Sequence, residues 1–143
     1  MPEQRPAASP DPIAHDRGGS LVAMISRDIV RIHSDFYGRG PTKAKTVWRD
    51  EIIVCVLEEI FTKAELLLVG NGRFEDVRSH RTAFQDEVEP IFRAGVEAIT
   101  GRRVKSFLSQ ISVDGVASEV FVLSVPAEAP AEPPSVPTGP AGI

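Results

Sequence analysis

Apolar residues recur at alternating spacings of three and four along the first strongly patterned segment of the chain. They are Val22, Ile25, Ile29, Ile32 and Phe36. This spacing places all five on one face of an amphipathic helix, for which Ser20 is a suitable N-cap. We expect the helix to end before Gly38, Gly40 and Pro41, because glycine permits a left-handed cap and proline cannot continue the hydrogen-bond ladder.

The pattern changes to β-branched and aromatic residues from residue 43 to residue 59, with a polar interruption at 49–51. This change predicts a β-hairpin. Its second strand is apolar at every position from Ile52 to Leu57. Such a strand is typical of a sheet centre that is covered on both faces, either by helices or by a second subunit.

A short helix is predicted to begin at Lys63, because Thr62 and Glu65 have the spacing of a capping box. We expect this helix to carry Leu66, Leu67 and Val69 into the core and to end at the glycines of 70–72.

A long helix is predicted from residue 74 to residue 100, because its apolar residues fall near multiples of 3.6. These residues are Val77, Phe84, Val88, Ile91, Val96 and Ile99. Pro90 lies inside this pattern and should kink the helix, since proline removes a backbone hydrogen bond. Gly101 is the expected C-cap.

A second antiparallel pair is predicted at 104–111 and 116–125, joined by a turn at Asp114 and Gly115. The order is then helix, hairpin, helix, helix, hairpin. It predicts an α+β domain in which helices cover about four antiparallel strands.

The prolines mark the limits of this domain. Of the 12 prolines in the 143 residues, only Pro41 and Pro90 lie between residues 18 and 124. Segments rich in Ala, Pro, Gly and Ser bury too little apolar surface to offset the entropy of ordering. We therefore expect a disordered arm at 1–17, a single domain at 18–124 and a disordered tail rich in Pro and Ala at 125–143.

Charge and composition exclude several classes of protein. The net charge of -4 is unlike that of a dedicated nucleic-acid-binding domain, which is usually basic. The longest apolar run, 52–57, is far shorter than the about 20 residues of a transmembrane helix, and the start of the chain does not resemble a signal peptide. The lone Cys55 cannot form an internal disulfide framework. We expect a cytoplasmic protein, or one peripheral to a membrane.

The most unusual local segment combines glycines with cations and has no acidic residue from 38 to 49. The candidate anion- or partner-binding residues are Arg39, Gly40, Thr42, Lys43, Lys45 and Arg49. Glycine amides turned outward among cations form a nest for a small anion such as phosphate or bicarbonate. The alternative is structural, because cations that follow a helix C-terminus stabilise its dipole.

The other chemically capable side chains do not form a motif. His15, His33 and His80 lack a neighbour at a ligand-like spacing, and Cys55 lies in the most apolar strand, where a thiol is usually inert. The paired acids of the long helix have the pattern of a solvated helix face. We expect no catalytic residues, no metal site and no cofactor, and hence a protein that is not an enzyme.

Several segments together resemble the MpsC-like family, a bacterial family named for a sodium-translocating, membrane-potential-generating system. They are 25–30, 37–45, 62–65, 83–85 and 99–104, and the likeness covers nearly all of 20–124. The resemblance implies association with cation-coupled transport or inorganic carbon uptake, with no catalytic residue to carry over.

A chain without a spanning segment cannot carry ions across a bilayer by itself. We therefore expect an accessory or regulatory protein that contacts a membrane transporter subunit or senses a small anion. The alternative is a homo-oligomeric scaffold domain, a homodimer formed by the apolar strand and the first helix, with no link to transport.

Overall fold

The computed structural model describes residues 12–126. The predicted arm therefore lies outside the described residues except for 12–17, and the predicted tail lies outside them except for 125 and 126. Three helices and four strands follow in the order α1 (Pro12–Tyr37), β1 (Lys43–Arg49), β2 (Ile52–Glu58), α2 (Lys63–Gly70), α3 (Phe74–Thr100), β3 (Val104–Ile111) and β4 (Val116–Leu123). The predicted α+β class is confirmed.

The four strands form one antiparallel sheet with the order β1-β2-β4-β3. Each hairpin pairs within itself, and β2 pairs with β4 at the centre. The two edge strands are therefore β1 and β3. Because side chains alternate along a strand, each strand presents one set of residues to each face of the sheet.

Helices α1 and α3 pack against each other and against one face of the sheet. The core is formed by buried apolar residues from the helices, the strands and the segment after β2: Ile25, Ile29, Ile32, Ile53, Cys55, Leu57, Ile60, Phe61, Val77, Val88, Phe92, Val96, Val104, Ala117, Phe121 and Leu123. The predicted apolar stripe of α1 is thus buried at its three central isoleucines. Phe36, at the end of the stripe, is exposed.

The predicted capping signals are present at both later helices. The Thr62 hydroxyl accepts a hydrogen bond from the Glu65 backbone N–H, and the Glu65 carboxylate accepts one from the Thr62 N–H. Gly101 has φ 71° and caps α3. Pro90 lies within α3, which continues through it as a helix.

Three details of the helices differ from the prediction. Helix α1 begins at Pro12 and not after Ser20. Leu66 and Leu67 are 54% and 68% exposed, so the prediction that they enter the core is wrong. The buried residue of α2 is Glu65, because its partner Arg81 lies in the core side of α3. In α3 the core is contacted by Phe92, whereas Ile91 is exposed.

The face of the sheet away from the helices is called the open face below. It is formed by Lys43, Lys45, Val47, Arg49, Ile52, Val54, Val56, Glu58, Ser106, Leu108, Gln110, Val116, Ser118, Val120 and Val122. None of these side chains is fully buried by the described residues. Strand β2 was predicted to be covered on both faces. Its helix face is covered, since Ile53, Cys55 and Leu57 are buried, but Ile52 and Val56 on its open face are exposed among the described residues.

Candidate functional site

The glycine-rich segment after α1 makes the connection to the edge strand β1. Gly38 has φ 78°, the left-handed conformation that ends the helix. Gly40 lies against α1, where a Cβ atom would be 2.9 Å from the Ser34 hydroxyl oxygen and 3.3 Å from the Val30 carbonyl oxygen. Gly40 is therefore needed for close packing of the loop on the helix.

Two of the predicted site residues anchor this connection. The Arg39 guanidinium donates a 2.7 Å hydrogen bond to the Phe61 carbonyl oxygen. The Thr42 hydroxyl donates to the Glu59 carboxylate, and the Thr42 backbone N–H donates to the Glu58 carbonyl oxygen at 3.2 Å. These bonds fix the loop to the end of β2.

The other three predicted cations form one row. Lys43, Lys45 and Arg49 alternate along β1, so all three side chains project from the open face, and all three are exposed. We call these three residues the basic row. The structure thus groups half of the predicted residues at a sheet edge and places Arg39, Gly40 and Thr42 in the adjoining loop, so the anion nest stays a prediction.

A separate polar cavity of about 260 Å³ lies on the helix side of the sheet, between α1, α3 and strands β3 and β4. Its lining includes His33 and Tyr37 from α1, Gln85 from α3, and Glu119 from β4. These four side chains contact one another, although they come from segments far apart in the chain.

Gln85 is at the centre of this polar cluster. Its amide nitrogen donates to Glu119 Oε1 at 2.9 Å and to the Ser109 hydroxyl at 2.8 Å, while its amide oxygen accepts from the Tyr37 hydroxyl at 3.2 Å. Both polar atoms of this half-buried amide are therefore hydrogen-bonded. The network links α1, α3, β3 and β4.

His33 approaches the same carboxylate from the other side. His33 Nδ1 lies 3.0 Å from the Ile29 carbonyl oxygen, and since a carbonyl oxygen only accepts, Nδ1 carries a hydrogen. His33 Nε2 faces Glu119 Oε2 at 3.5 Å. The ring also stacks on Tyr37, with ring centroids 5.4 Å apart.

A buried ion pair closes the cluster on the side of α2. The Arg81 guanidinium donates to both carboxylate oxygens of Glu65, at 2.8 and 2.7 Å, and to the Ile60 carbonyl oxygen at 2.8 Å. It also lies 4.1 Å from the centre of the Tyr37 ring, a cation–π contact. Arg81 thereby joins α2, α3 and α1.

These surroundings change how two of the groups ionise. Burial disfavours the charged form of Glu65, but the hydrogen bonds and charge of Arg81 and the bonds of Thr62 outweigh burial and lower its pKa. Burial raises the pKa of Tyr37 to about 12. The positive charge of Arg81 lowers this pKa, whereas the negative charges of Glu119 and Glu65 raise it further. Tyr37 therefore acts as a neutral hydrogen-bond donor.

The sequence reasoning missed this polar cluster, although one signal was available. In β4 the buried positions alternate as Ala117, Glu119, Phe121 and Leu123, so a carboxylate occupies the buried phase of the strand. A buried carboxylate requires polar partners. Arg81 similarly lies one helical turn after the buried Val77.

The fold and these sites define an α+β domain with a buried polar cluster and an open sheet face that carries an exposed basic row beside aliphatic residues. The chain belongs to the MpsC family: the family described as the Na+-translocating membrane potential-generating system (MpsC) matches residues 17–125. This confirms the family expected from the sequence.

One curated relative extends the comparison. YbcI of Bacillus subtilis (strain 168), described as an uncharacterized protein, is 32% identical over 101 residues, which cover 66% of this chain and 77% of YbcI. No solved structure gives a significant match. Within residues 12–126, no helix has the length and apolar character needed to cross a membrane.

Proposed function

We propose that this chain is a non-catalytic accessory or regulatory protein of a bacterial cation-coupled or inorganic-carbon transport system. The family description, a Na+-translocating membrane potential-generating system, supports the link to transport. In this proposal the chain acts in the cytoplasm or at the membrane surface and contacts a membrane transporter subunit.

The observation that carries the proposal is the basic row on β1. Three exposed cations lie on one face of an edge strand, with Lys43 and Lys45 about 6.6 Å apart and Lys45 and Arg49 about 13 Å apart along the strand, which suits an acidic surface or a small anion. Lys43, Lys45 and Arg49 provide this charge, and Arg39 and Thr42 hold the preceding loop in place through their bonds to Phe61 and Glu59.

The non-catalytic assignment is supported by how the polar cluster is used. His33, Gln85 and Glu119 bind one another and the backbone across three elements, and Arg81 is engaged by Glu65. The polar atoms of these side chains form hydrogen bonds within the protein, and these bonds stabilise the packing of α1 and α3 on the sheet.

The partner arm of the proposal is tested by crosslinking in membranes of the native host. The variant Lys43→Glu/Lys45→Glu/Arg49→Glu is compared with Lys63→Glu/Arg103→Glu/Lys105→Glu, which changes net charge equally at other exposed sites. Wild type and the control should capture the same integral transporter subunit, and the basic-row variant should lose it. Equal capture by both variants, or capture of no such subunit by wild type, contradicts the proposal.

The anion arm is tested by titration calorimetry with bicarbonate and phosphate. We expect wild type to bind one of these anions and Lys43→Ala to bind it more weakly. If neither anion binds, the anion-binding part of the proposal is refuted, and contact with a membrane partner remains as the proposed role.

A second candidate is the homo-oligomeric scaffold without a transport link. The specific observation in its favour is the apolar character of the open face, which the basic row does not explain.

A further inference from the structure

On the open face, paired residues of the four strands line up in rows that run across the sheet, perpendicular to the basic row on β1. In the central row, Val47 pairs with Val54, Val54 with Val120, and Val120 with Leu108. All four strands therefore contribute one aliphatic side chain to a single line.

The two neighbouring rows are mixed. One runs Arg49, Ile52, Val122 and Ser106, and the other runs Lys45, Val56, Ser118 and Gln110. Ile52, Val122 and Val56 flank the central row on the inner strands. Ser118 is the polar residue of these two rows on an inner strand, and their other polar residues lie on the edge strands. The result is an apolar centre with a polar border, the usual anatomy of a protein interface.

This face differs from the solvent face of an ordinary antiparallel sheet. Such a sheet normally alternates apolar residues toward the core with polar residues toward water. Here Val47 and Leu108 are 54% and 56% exposed, and Ile52 and Val56 are exposed beside them. Contiguous apolar patches on this scale mark binding surfaces.

The size of the face suits one more domain of the same kind. Four strands about 4.8 Å apart and about 23 Å long span roughly 440 Å² in projection. The accessible area of the projecting side chains exceeds this projection, so two such faces together bury more than about 880 Å², which is at the lower end of the sizes of specific interfaces.

The cations of the basic row favour one of two possible orientations of a second copy on this face. If the two-fold axis ran across the strands, β1 would face β1, and Arg49 of one copy would lie over Lys45 of the other, which like-charge repulsion disfavours. If the axis runs parallel to the strands, β1 faces β3, and the cations meet Ser106 and Gln110.

The same parallel axis matches the apolar residues. It places β2 over β4, so Val54 of one copy lies over Val120 of the other, and Ile52 lies over Val122. It also places Val47 over Leu108 at both ends of the central row. Every residue of the central row thus meets another aliphatic side chain, which is the self-complementarity that a two-fold interface requires.

We infer that the apolar centre of the open face is a two-fold interface between two copies of this chain, with the axis parallel to the strands and β1 packed over β3. The long side chains of the basic row then lie at the polar border of this interface, where their charged ends reach solvent and remain accessible to an anion or a membrane partner. Two sheets packed in this way form a sandwich with about 10 Å between its layers. The inference does not rest on the transport role, because it needs only the purified chain.

Sedimentation equilibrium of the full chain over a wide concentration range tests the interface. We expect wild type to be dimeric and Leu108→Glu and Val47→Glu to raise the dimer Kd by about thirtyfold or more. Leu67→Glu, at an exposed leucine of α2, should leave the Kd unchanged. Circular dichroism checks that each variant is folded. A wild type that stays monomeric, as expected if another protein or a membrane covers this face, overturns the inference, as does a Leu108→Glu variant that remains dimeric.

Crosslinking tests the direction of the axis. A short bismaleimide should link Val47→Cys to Leu108→Cys when the two variants are mixed, and should link Val47→Cys to itself poorly. Cys55 is fully buried and burial raises its pKa to about 11, so it should not compete. Efficient linking of Val47→Cys to itself with none between the mixed variants contradicts the parallel axis.

Discussion

His33 Nε2 lies 3.5 Å from Glu119 Oε2, and the two residues are only 2% and 1% exposed. Because His33 Nδ1 donates to the Ile29 carbonyl oxygen, only Nε2 faces the carboxylate. A bare ring nitrogen and a carboxylate oxygen are both acceptors, so their contact is attractive only when one of them carries a proton. The pair joins α1 to β4 inside the core.

Replacing Glu119 should distinguish a structural network from a simple space-filling residue. Glu119→Ala removes one of the two acceptors of the Gln85 amide nitrogen and opens a cavity, so we expect a loss of about 2–4 kcal/mol in the free energy of unfolding. Glu119→Gln should cost less, because its amide keeps the volume and can donate to His33 Nε2. Urea unfolding measures both.

The matched control for this pair of variants is Glu87→Ala, because Glu87 is an exposed acid of α3. This substitution should change the free energy of unfolding by no more than about 0.5 kcal/mol. Equal losses from Glu119→Ala and Glu119→Gln would contradict the hydrogen-bonding role.

Tyr37 offers a direct optical test of the same cluster, because it is the only tyrosine in the sequence. Burial, together with the charges of Glu119 and Glu65, raises its pKa to about 12. The phenolate absorbance should therefore appear well above the usual pKa of about 10, and in Glu119→Gln it should appear at lower pH. Circular dichroism at each pH confirms that the fold persists, and a native protein that titrates near 10 would refute the burial of this hydroxyl.

The periodic elements of the fold were predictable because their patterns are local. The helix from 74 to 100, the capping box at Thr62 and Glu65, and both hairpins follow from spacing and turn residues. The orientation of α2 was not predictable in this way. A run of leucines there suggests burial, but the Glu65–Arg81 ion pair turns the opposite side of the helix to the core.

The candidate site was predictable only where it lies on a single strand. Alternation along β1 already places Lys43, Lys45 and Arg49 on one face. The bond of Arg39 to Phe61 joins segments 22 residues apart, and that of Gln85 to Glu119 joins segments 34 residues apart. Contacts over such separations depend on the packing of helices on the sheet, which no local pattern encodes.

The buried pair of Glu65 and Arg81 predicts a specific dependence of stability on pH. Burial opposes ionisation of Glu65, but the bonds and charge of Arg81 lower its pKa overall. A carboxyl whose folded pKa is lowered contributes stability that is complete above its unfolded pKa, about 4.3, and is lost as the pH falls through the folded pKa.

Glu65→Gln leaves the Arg81 charge in the core with a neutral partner, so we expect a loss of about 3–5 kcal/mol near neutral pH. The difference from wild type should shrink below about pH 4.3. Chemical unfolding at a series of pH values measures it, with Glu87→Gln as the exposed control. A difference that stays constant down to low pH would mean that ionisation of Glu65 does not stabilise the fold.

Substitution of Gly40 by alanine tests whether contact with α1 positions the loop before the basic row. A Cβ atom there would lie 2.9 Å from Ser34 Oγ and 3.3 Å from the Val30 carbonyl oxygen, so Gly40→Ala should cost about 1–3 kcal/mol through overpacking. Adding Ser34→Ala removes the closest atom and should recover part of this loss, while the Val30 contact remains. Gly38→Ala is the matched control: nothing lies within 4 Å of its Cβ position, and its cost comes from φ 78° alone. Thermal unfolding of the single and double variants should therefore show recovery by Ser34→Ala for Gly40→Ala only, and equal recovery for both glycines would rule out close packing as the reason for Gly40.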